Sequence, residues 1–221
     1  MSGTHIYYGA STSAVPGWLN FDASLTVRVQ NLPVVGRTLA RLSGNDFEFP
    51  VFLKYGDIIK GLPVPDASAD GIYASHVLEH LSLEDMRTAL RNTWRILKPG
   101  GVFRLIVPDL RERAKRYVAR VETDPDDPEA APWFVADIEL GEARPQPSGL
   151  RRVRRALALG RHQWMWDYPS MARELEAAGF VGIRRSRFGD ADDPRFAEVE
   201  QMDRYFTGDI QELSIEARRP A

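Results

Sequence analysis

The pattern of apolar and polar positions is clearest between residues 70 and 110, where it predicts a strand, a helix and a second strand. Residues 70–75 are mostly apolar, as in a buried strand. Further along, apolar side chains recur at helical spacing, so one face of this segment is apolar. The members of that face are Met86, Leu90, Trp94 and Leu97. Residues 102–107 are again apolar and predict the second strand.

Capping and turn residues mark the ends of this predicted helix. Ser82 precedes two carboxylates of the first turn, which is typical of a helix start. The run Lys98-Pro99-Gly100-Gly101 is typical of a helix stop. A strand–helix–strand unit makes its strands parallel, and ligands bind at the carboxyl ends of such strands. We therefore expect a site near residues 75–80 and 108–110.

Five further strands and two further helices are predicted from the same kinds of pattern. The strands are Thr4–Tyr8, Trp18–Phe21, Phe47–Tyr55, Val181–Phe188 and Leu213–Arg218. The helices are a charged segment after Asp109 and the segment Ser170–Phe180, with Ser170 as its cap. Residues 25–50 show no clear pattern, and a lid, a short helix and a solvated connector all stay open for them. Residues 189–209 are expected to form a long hairpin loop.

Composition places the chain among ordinary globular proteins. It has 221 residues, 43% of them hydrophobic, with a formal net charge of −2. The near-neutral charge favours neither nucleic acid nor a membrane surface as partner. No cysteine is present, so thiolate chemistry and disulfides are excluded. No apolar run approaches the length of a membrane span or a signal segment, and we expect a cytoplasmic protein.

The motifs HVLEHL, RILKPGGVF and VPDL resemble the second half of a class I S-adenosylmethionine-dependent methyltransferase of the type 11 kind. The segment PGWLNFD resembles a subgroup in which the first helix is shortened to a loop. The resemblance extends over most of the chain and implies an α/β, Rossmann-like, doubly wound sheet of seven strands. The implied strand order is 3-2-1-4-5-7-6, with the last strand antiparallel. We expect one domain, residues 1–221, with an insertion at residues 124–165.

The first two strand ends carry the expected cofactor contacts. Gly9, Ala10 and Ser11 stand where the family has a glycine-rich loop, and only the first position keeps glycine. Asp22 ends the second strand, where a carboxylate accepts hydrogen bonds from ribose hydroxyls. A solvated turn is the plainer interpretation of Asp22.

The resemblance adds further site residues. It places Asp57, in the run that continues to Leu62, near the adenine, and it lines the cofactor pocket with Ser75 and His76. It implies a substrate side with residues from three separate segments. These residues are Glu79, His80, Asp109, His162, Trp164 and Tyr168.

Methyl transfer to a hydroxyl needs a base, and His80 or His162 is our hypothesis for it, because histidine titrates near neutral pH. His76, Glu79 and His80 also match the pattern H-x-x-E-H of zinc peptidases, but His76 follows a strand directly and we expect no metal. The arginines between residues 151 and 155 are either an anion site or a basic surface patch.

These residues predict transfer of a methyl group from S-adenosylmethionine to a small-molecule or saccharide-like acceptor. The alternative is a non-catalytic binding or scaffold protein that keeps this fold, and the altered glycine loop is its main support. The residues do not determine the oligomeric state.

Overall fold

The computed structural model describes residues 3–24, 27–28, 49–141 and 161–221. The strands are β1 His5–Tyr8, β2 Leu19–Asp22, β3 Lys54–Tyr55, β4 Ala69–Ser75, β5 Leu97–Val107, β6 Val181–Arg185, β7 Phe206–Thr207, β8 Ile210–Gln211 and β9 Leu213–Arg218. The α-helices of the described part are α1 Leu83–Ile96, α2 Leu110–Thr123, α3 Ala130–Asp137, α4 Tyr168–Ala177 and α5 Met202–Tyr205. The arginines at 151–155 and most of residues 25–50 lie outside the described residues.

Seven of these strands form one sheet in the order β3-β2-β1-β4-β5-β9-β6. Neighbours from β3 to β5 are parallel, whereas β9 runs antiparallel to both β5 and β6. Numbered by their order along the chain, the seven strands follow 3-2-1-4-5-7-6. The predicted fold class is therefore confirmed, including the antiparallel last strand.

Helix α1 has the cap and the apolar face that the sequence predicts. The Ser82 hydroxyl accepts a hydrogen bond from the Asp85 amide at 3.2 Å. Met86 and Leu90 are fully buried against the sheet. Trp94 is only partly buried, and its indole N–H donates to the Gly179 carbonyl at 3.1 Å. The helix ends at Ile96, so Leu97 and the Lys-Pro-Gly-Gly run already belong to β5.

Two other boundaries were predicted wrongly. The third strand was expected at Phe47–Tyr55, but among the described residues 49–55 only Lys54–Tyr55 form β3, because Leu53 donates to the Pro50 carbonyl and closes a turn there. Helix α4 was expected to begin at Ser170, but its cap is Asp167. The Asp167 carboxylate accepts from the Ser170 amide, and the Ser170 hydroxyl accepts from the Asp167 amide, which together form a capping box.

Residues 189–209 are more ordered than the predicted hairpin loop. They contain a 3₁₀ turn at Pro194–Glu198, helix α5 and the first strand of the small hairpin β7–β8. The buried Arg104 of β5 explains part of this order. Its guanidinium lies 2.7 Å from Glu200 and 3.0 Å from Asp190. A buried cation needs such partners, and these contacts hold the segment against the sheet.

No described helix is long and apolar enough to cross a membrane.

Candidate functional site

A cleft of about 600 Å³ opens at the carboxyl ends of the first four strands. The chain moves outward from β1 to β2 and β3 and then returns to β4 on the other side, so the strand order reverses between β1 and β4. Ligands of doubly wound sheets bind in the crevice at this reversal. Six of the sequence-predicted residues meet here: Gly9, Ser11, Asp22, Asp57, His76 and His80.

The loop after β1 is shaped by Gly9. Its φ of 69° lies in the left-handed region, and a Cβ there would stand 2.1 Å from Cγ2 of Val77. Ser11 also has a left-handed φ, 45°, so it adopts a backbone conformation that glycine takes more readily. Ala10 is fully buried with the cluster that contains Tyr7 and Trp18, and it does not line the cleft. The methyl group of Ala10 therefore does not obstruct the cleft.

Asp22 stands at the end of β2, inside the cleft and largely buried. Its two carboxylate oxygens accept hydrogen bonds from the Ser11 amide at 3.1 Å and from the Ser24 amide at 2.8 Å. Each carboxylate oxygen can accept two hydrogen bonds, so each keeps room for one more donor. Asp22 thus shapes both neighbouring loops and still presents acceptors to the cleft.

Asp57 lines the far side of the cleft, just after β3. One of its oxygens accepts from the Ile59 amide at 3.0 Å, and the other lies 3.0 Å from the Lys60 ammonium. Leu62, predicted alongside it, is buried in the main core and supports this wall from behind.

At the end of β4, Ser75 is buried and His76 faces the cleft. His76 has a left-handed φ of 54°, which places its ring between the Arg204 carbonyl, 3.0 Å from Nε2, and the Glu79 carboxylate, 3.4 Å from Nδ1. Burial disfavours its protonation, but the Glu79 carboxylate and the Arg204 carbonyl outweigh burial and raise the pKa of His76 above its ordinary value.

At the mouth of the cleft lies the 3₁₀ turn Leu78–His80, of which His80 alone lines the cleft, and the residues that lead into α4 lie beside this turn. The amides of Gln163 and Trp164 both donate to the Glu79 carbonyl, at 2.7 Å and 3.2 Å. These bonds fasten the two segments together. As a result the rings of His80 and His162 lie 5.2 Å apart between centroids.

The remaining predicted residues on the substrate side lie at different distances from the cleft. Trp164 is 44% exposed beside the mouth, where its backbone already binds Glu79. Asp109 is buried as the cap of α2, and its carboxylate lies 3.3 Å from Arg185. Tyr168 donates its hydroxyl to the Ile183 carbonyl and lies under the Arg185 guanidinium. Neither Asp109 nor Tyr168 lines the cleft.

Several lining residues were not predicted from the sequence. They are Tyr8, Ala23, Ser24, Arg28, Phe49, Tyr55, Gly56, Ile58, Ile59, Lys60, Val77 and Leu81. Ala23, Ser24 and Gly56 directly follow β2 and β3, and this position is their only signal in the sequence. Arg28 lies over the Tyr55 ring at 5.5 Å, a contact between two distant segments.

Comparison with known proteins agrees with this geometry. Residues 23–105 match the family model described as a methyltransferase domain. The O-methyltransferase resE of Aspergillus sclerotiorum is 51% identical over 49 residues, which cover 22% of this chain and 17% of that protein. The match thus spans less than a fifth of the length of this curated relative.

Solved structures resemble the whole fold. A Haloferax volcanii complex of the Trm112 methyltransferase activator with a methyltransferase matches 99% of this chain and 83% of the other, at 18% identity and a TM-score of 0.50. A Thermotoga maritima S-adenosylmethionine-dependent methyltransferase, described as a possible histamine N-methyltransferase, has the same coverage and TM-score at 16% identity.

Residues 23–105 thus resemble a methyltransferase domain, and the whole chain has the Rossmann-like fold that the sequence motifs imply. The roles of individual residues stay predictions.

Proposed function

We propose that this protein transfers a methyl group from S-adenosylmethionine to the hydroxyl of a small-molecule or saccharide-like acceptor. The observation that carries the proposal is the cleft at the strand reversal, where Gly9, Asp22 and Asp57 converge. A glycine without room for a Cβ, and a carboxylate with free acceptor positions, fit a nucleoside ligand. The curated relatives are named O-methyltransferases, which supports an oxygen acceptor.

Two carboxylates of the cleft contact different parts of the cofactor. Asp22 accepts hydrogen bonds from the ribose hydroxyls, and Asp57 accepts a hydrogen bond from the exocyclic amine of adenine. When bound, S-adenosylmethionine supplies a methyl group on a positively charged sulfur, which keeps the bonding electron pair as the methyl leaves. The protein aligns the acceptor oxygen with that methyl group and excludes water.

The acceptor proton leaves toward the mouth of the cleft. His80 and His162 each place Nδ1 about 3 Å from a backbone carbonyl, of Arg161 and Ile138 respectively. A carbonyl only accepts, so each Nδ1 carries the proton and each Nε2 has a free lone pair. Either Nε2 can take the hydroxyl proton as the new oxygen–carbon bond forms.

The test is calorimetric titration with S-adenosylmethionine and S-adenosylhomocysteine. We expect micromolar binding that Asp22→Ala weakens about tenfold or more, the size expected for lost hydrogen bonds to a charged group. Asp22→Asn keeps an oxygen for only one of the two loop amides, so circular dichroism of both variants is needed to separate loss of binding from loss of loop structure. Asp209→Ala, an exposed carboxylate on the β7–β8 turn, is the control.

Absence of binding at millimolar ligand would overturn the proposal and favour the non-catalytic alternative. Where binding is found, transfer of labelled methyl to a panel of hydroxylated acceptors follows, with His80→Ala and His162→Ala as variants. Unchanged transfer in both variants would remove the histidines from the catalytic step.

A further inference from the structure

Three potential metal ligands meet at the mouth of the cleft. One carboxylate oxygen of Glu79 and one ring nitrogen each of His80 and His162 lie within 4.8 Å of one another. Two of these residues are neighbours on the 3₁₀ turn, and the third comes from the segment before α4. The bonds from Gln163 and Trp164 to the Glu79 carbonyl hold the two segments in this arrangement.

Both imidazoles are oriented as metal ligands usually are. Each donates its Nδ1 proton to a backbone carbonyl, from His80 to Arg161 at 3.0 Å and from His162 to Ile138 at 2.9 Å. In each ring this hydrogen bond sets the tautomer and leaves Nε2 as the ligating atom. The His80 ring is partly buried, and the His162 ring is almost fully buried.

The Glu79 carboxylate is an independent observation that points to a cation as ligand. The residue is fully buried, yet neither carboxylate oxygen accepts a hydrogen bond from the described residues. Its nearest basic atoms are Nδ1 of His76 at 3.4 Å and Nε2 of His80 at 3.9 Å. A buried carboxylate without hydrogen bonds is costly, and a bound cation removes that cost.

We propose that Glu79, His80 and His162 bind a divalent transition-metal ion, with zinc as the preferred probe. Two imidazoles and one carboxylate are a common protein set for zinc with an open fourth position. Ligand atoms at about 2.0–2.2 Å from a tetrahedral ion lie about 3.3–3.6 Å apart. Side-chain rotations that bring the three atoms, now within 4.8 Å, up to about 1.5 Å closer would therefore close the site. The carboxylate of Glu139 also lies 3.6 Å from Nε2 of His162.

The position of this ion deepens the proposed function, on which its role rests. His80 also lines the cleft, so an ion bound to it would lie at the edge of that cleft. The open coordination position would then be available to an oxygen atom of the acceptor. An ion there would orient the acceptor hydroxyl and lower its pKa, in place of a free imidazole base.

The arrangement differs from the zinc-peptidase pattern H-x-x-E-H that the sequence contains. In that pattern both histidines of the motif bind the metal and the glutamate acts as base. Here the ring nitrogens that lie within 4.8 Å of each other and of Glu79 belong to His80 and to His162 from a distant segment, and His76 is not among them. The two arrangements predict opposite behaviour for His76 and His162 variants.

The experiment is zinc titration of untagged protein freed of metal by a chelator, followed by calorimetry and by competition with a chromophoric chelator. We expect one zinc per chain at micromolar affinity or better. His80→Ala, His162→Ala and Glu79→Gln should each weaken binding by about 100-fold or more, since even changes behind the ligands cost about 10–100-fold. His76→Ala is the matched control and should keep the stoichiometry.

Circular dichroism and thermal unfolding identify any variant that fails to fold, and the visible spectrum of the cobalt-loaded protein then tests the ligand set without substitutions. No stoichiometric zinc in the wild type, or loss in His76→Ala with retention in His162→Ala, overturns the proposal. The titration needs no S-adenosylmethionine, so its failure is distinct from failure of the proposed function.

Discussion

Gly9 and Val77 approach so closely that a Cβ at position 9 would lie 2.1 Å from Cγ2 of Val77. The two residues follow β1 and β4, the strands between which the order of the sheet reverses. Both residues line the cleft. Because Gly9 also has a φ of 69°, both backbone conformation and space require glycine here.

We therefore expect Gly9→Ala to lower the free energy of unfolding by about 2–5 kcal/mol, the sum of a left-handed residue and an overpacked contact. Gly100→Ala is a matched control, because Gly100 has a similar φ of 76° but nothing within 4 Å of its Cβ position. The control should lose only about 1–2 kcal/mol. Urea unfolding measures both, and equal losses would show that the Val77 contact is easily relieved.

The buried ion pair between α2 and the residue before β9 is a second test. Arg113 donates two hydrogen bonds of 2.8 Å to Glu212, and both side chains are almost fully buried. Glu212→Ala leaves a buried guanidinium without that partner and should cost about 3–5 kcal/mol.

A second pair from the same helix serves as control for that test. Arg116 binds the exposed Asp209, and Asp209→Ala should change the free energy of unfolding by about 1 kcal/mol at most. If chemical denaturation found similar costs for Glu212→Ala and Asp209→Ala, burial would not be the reason for the strength of the first pair.

The pH dependence of stability should report the link between α1 and α4. Arg87 binds both oxygens of the largely buried Glu174, at 2.8 and 3.0 Å, and this pairing lowers the pKa of that carboxyl despite the opposing effect of burial. A lowered pKa in the folded state adds stability above the ordinary value of 4.5, which is lost as pH falls through the folded pKa.

Glu174→Gln should accordingly be less stable than the wild type at pH 7, and the difference should shrink below pH 4.5. Urea unfolding of both proteins across this range measures the effect. A difference that stayed constant with pH would mean that the ionised carboxylate is not what stabilises the contact.

The cap of α1 offers a fourth prediction. Ser82 accepts from the Asp85 amide, so Ser82→Ala should lower the free energy of unfolding by about 1 kcal/mol. Ser82→Asn should recover most of that loss, because asparagine caps a helix equally well. Thermal unfolding would contradict the assignment if alanine and asparagine behaved alike.

Much of the central fold was predictable because its signals are local. Helix α1, with its serine cap and apolar face, and the strands on either side follow from residues close in sequence. The resemblance supplied the strand order, which no local pattern contains. The prediction of a helix start failed where two capping residues lie close together, as with Asp167 and Ser170, since both residue types favour helix starts.

The charged run of α2 shows the limit of such patterns. The charged composition indicates a solvated face, yet Arg113 is buried. It pairs with Glu212, which lies 99 positions away in the sequence. No spacing rule connects the two residues. The same holds for the order of residues 189–209, which depends on contacts with Arg104 of β5.

The sequence by itself determined where the central helix and strands form, the loop that begins at Gly9 and the position of Asp22 at the end of β2. Each of these depends on the backbone preferences of a few adjacent residues. The tertiary structure alone decided which side chains meet. It placed His162 beside His80 and left His76 on the Arg204 carbonyl, since hydrogen bonds between distant segments set those positions. Ligand chemistry depends on such distances between side chains, and these arise only when the chain has folded.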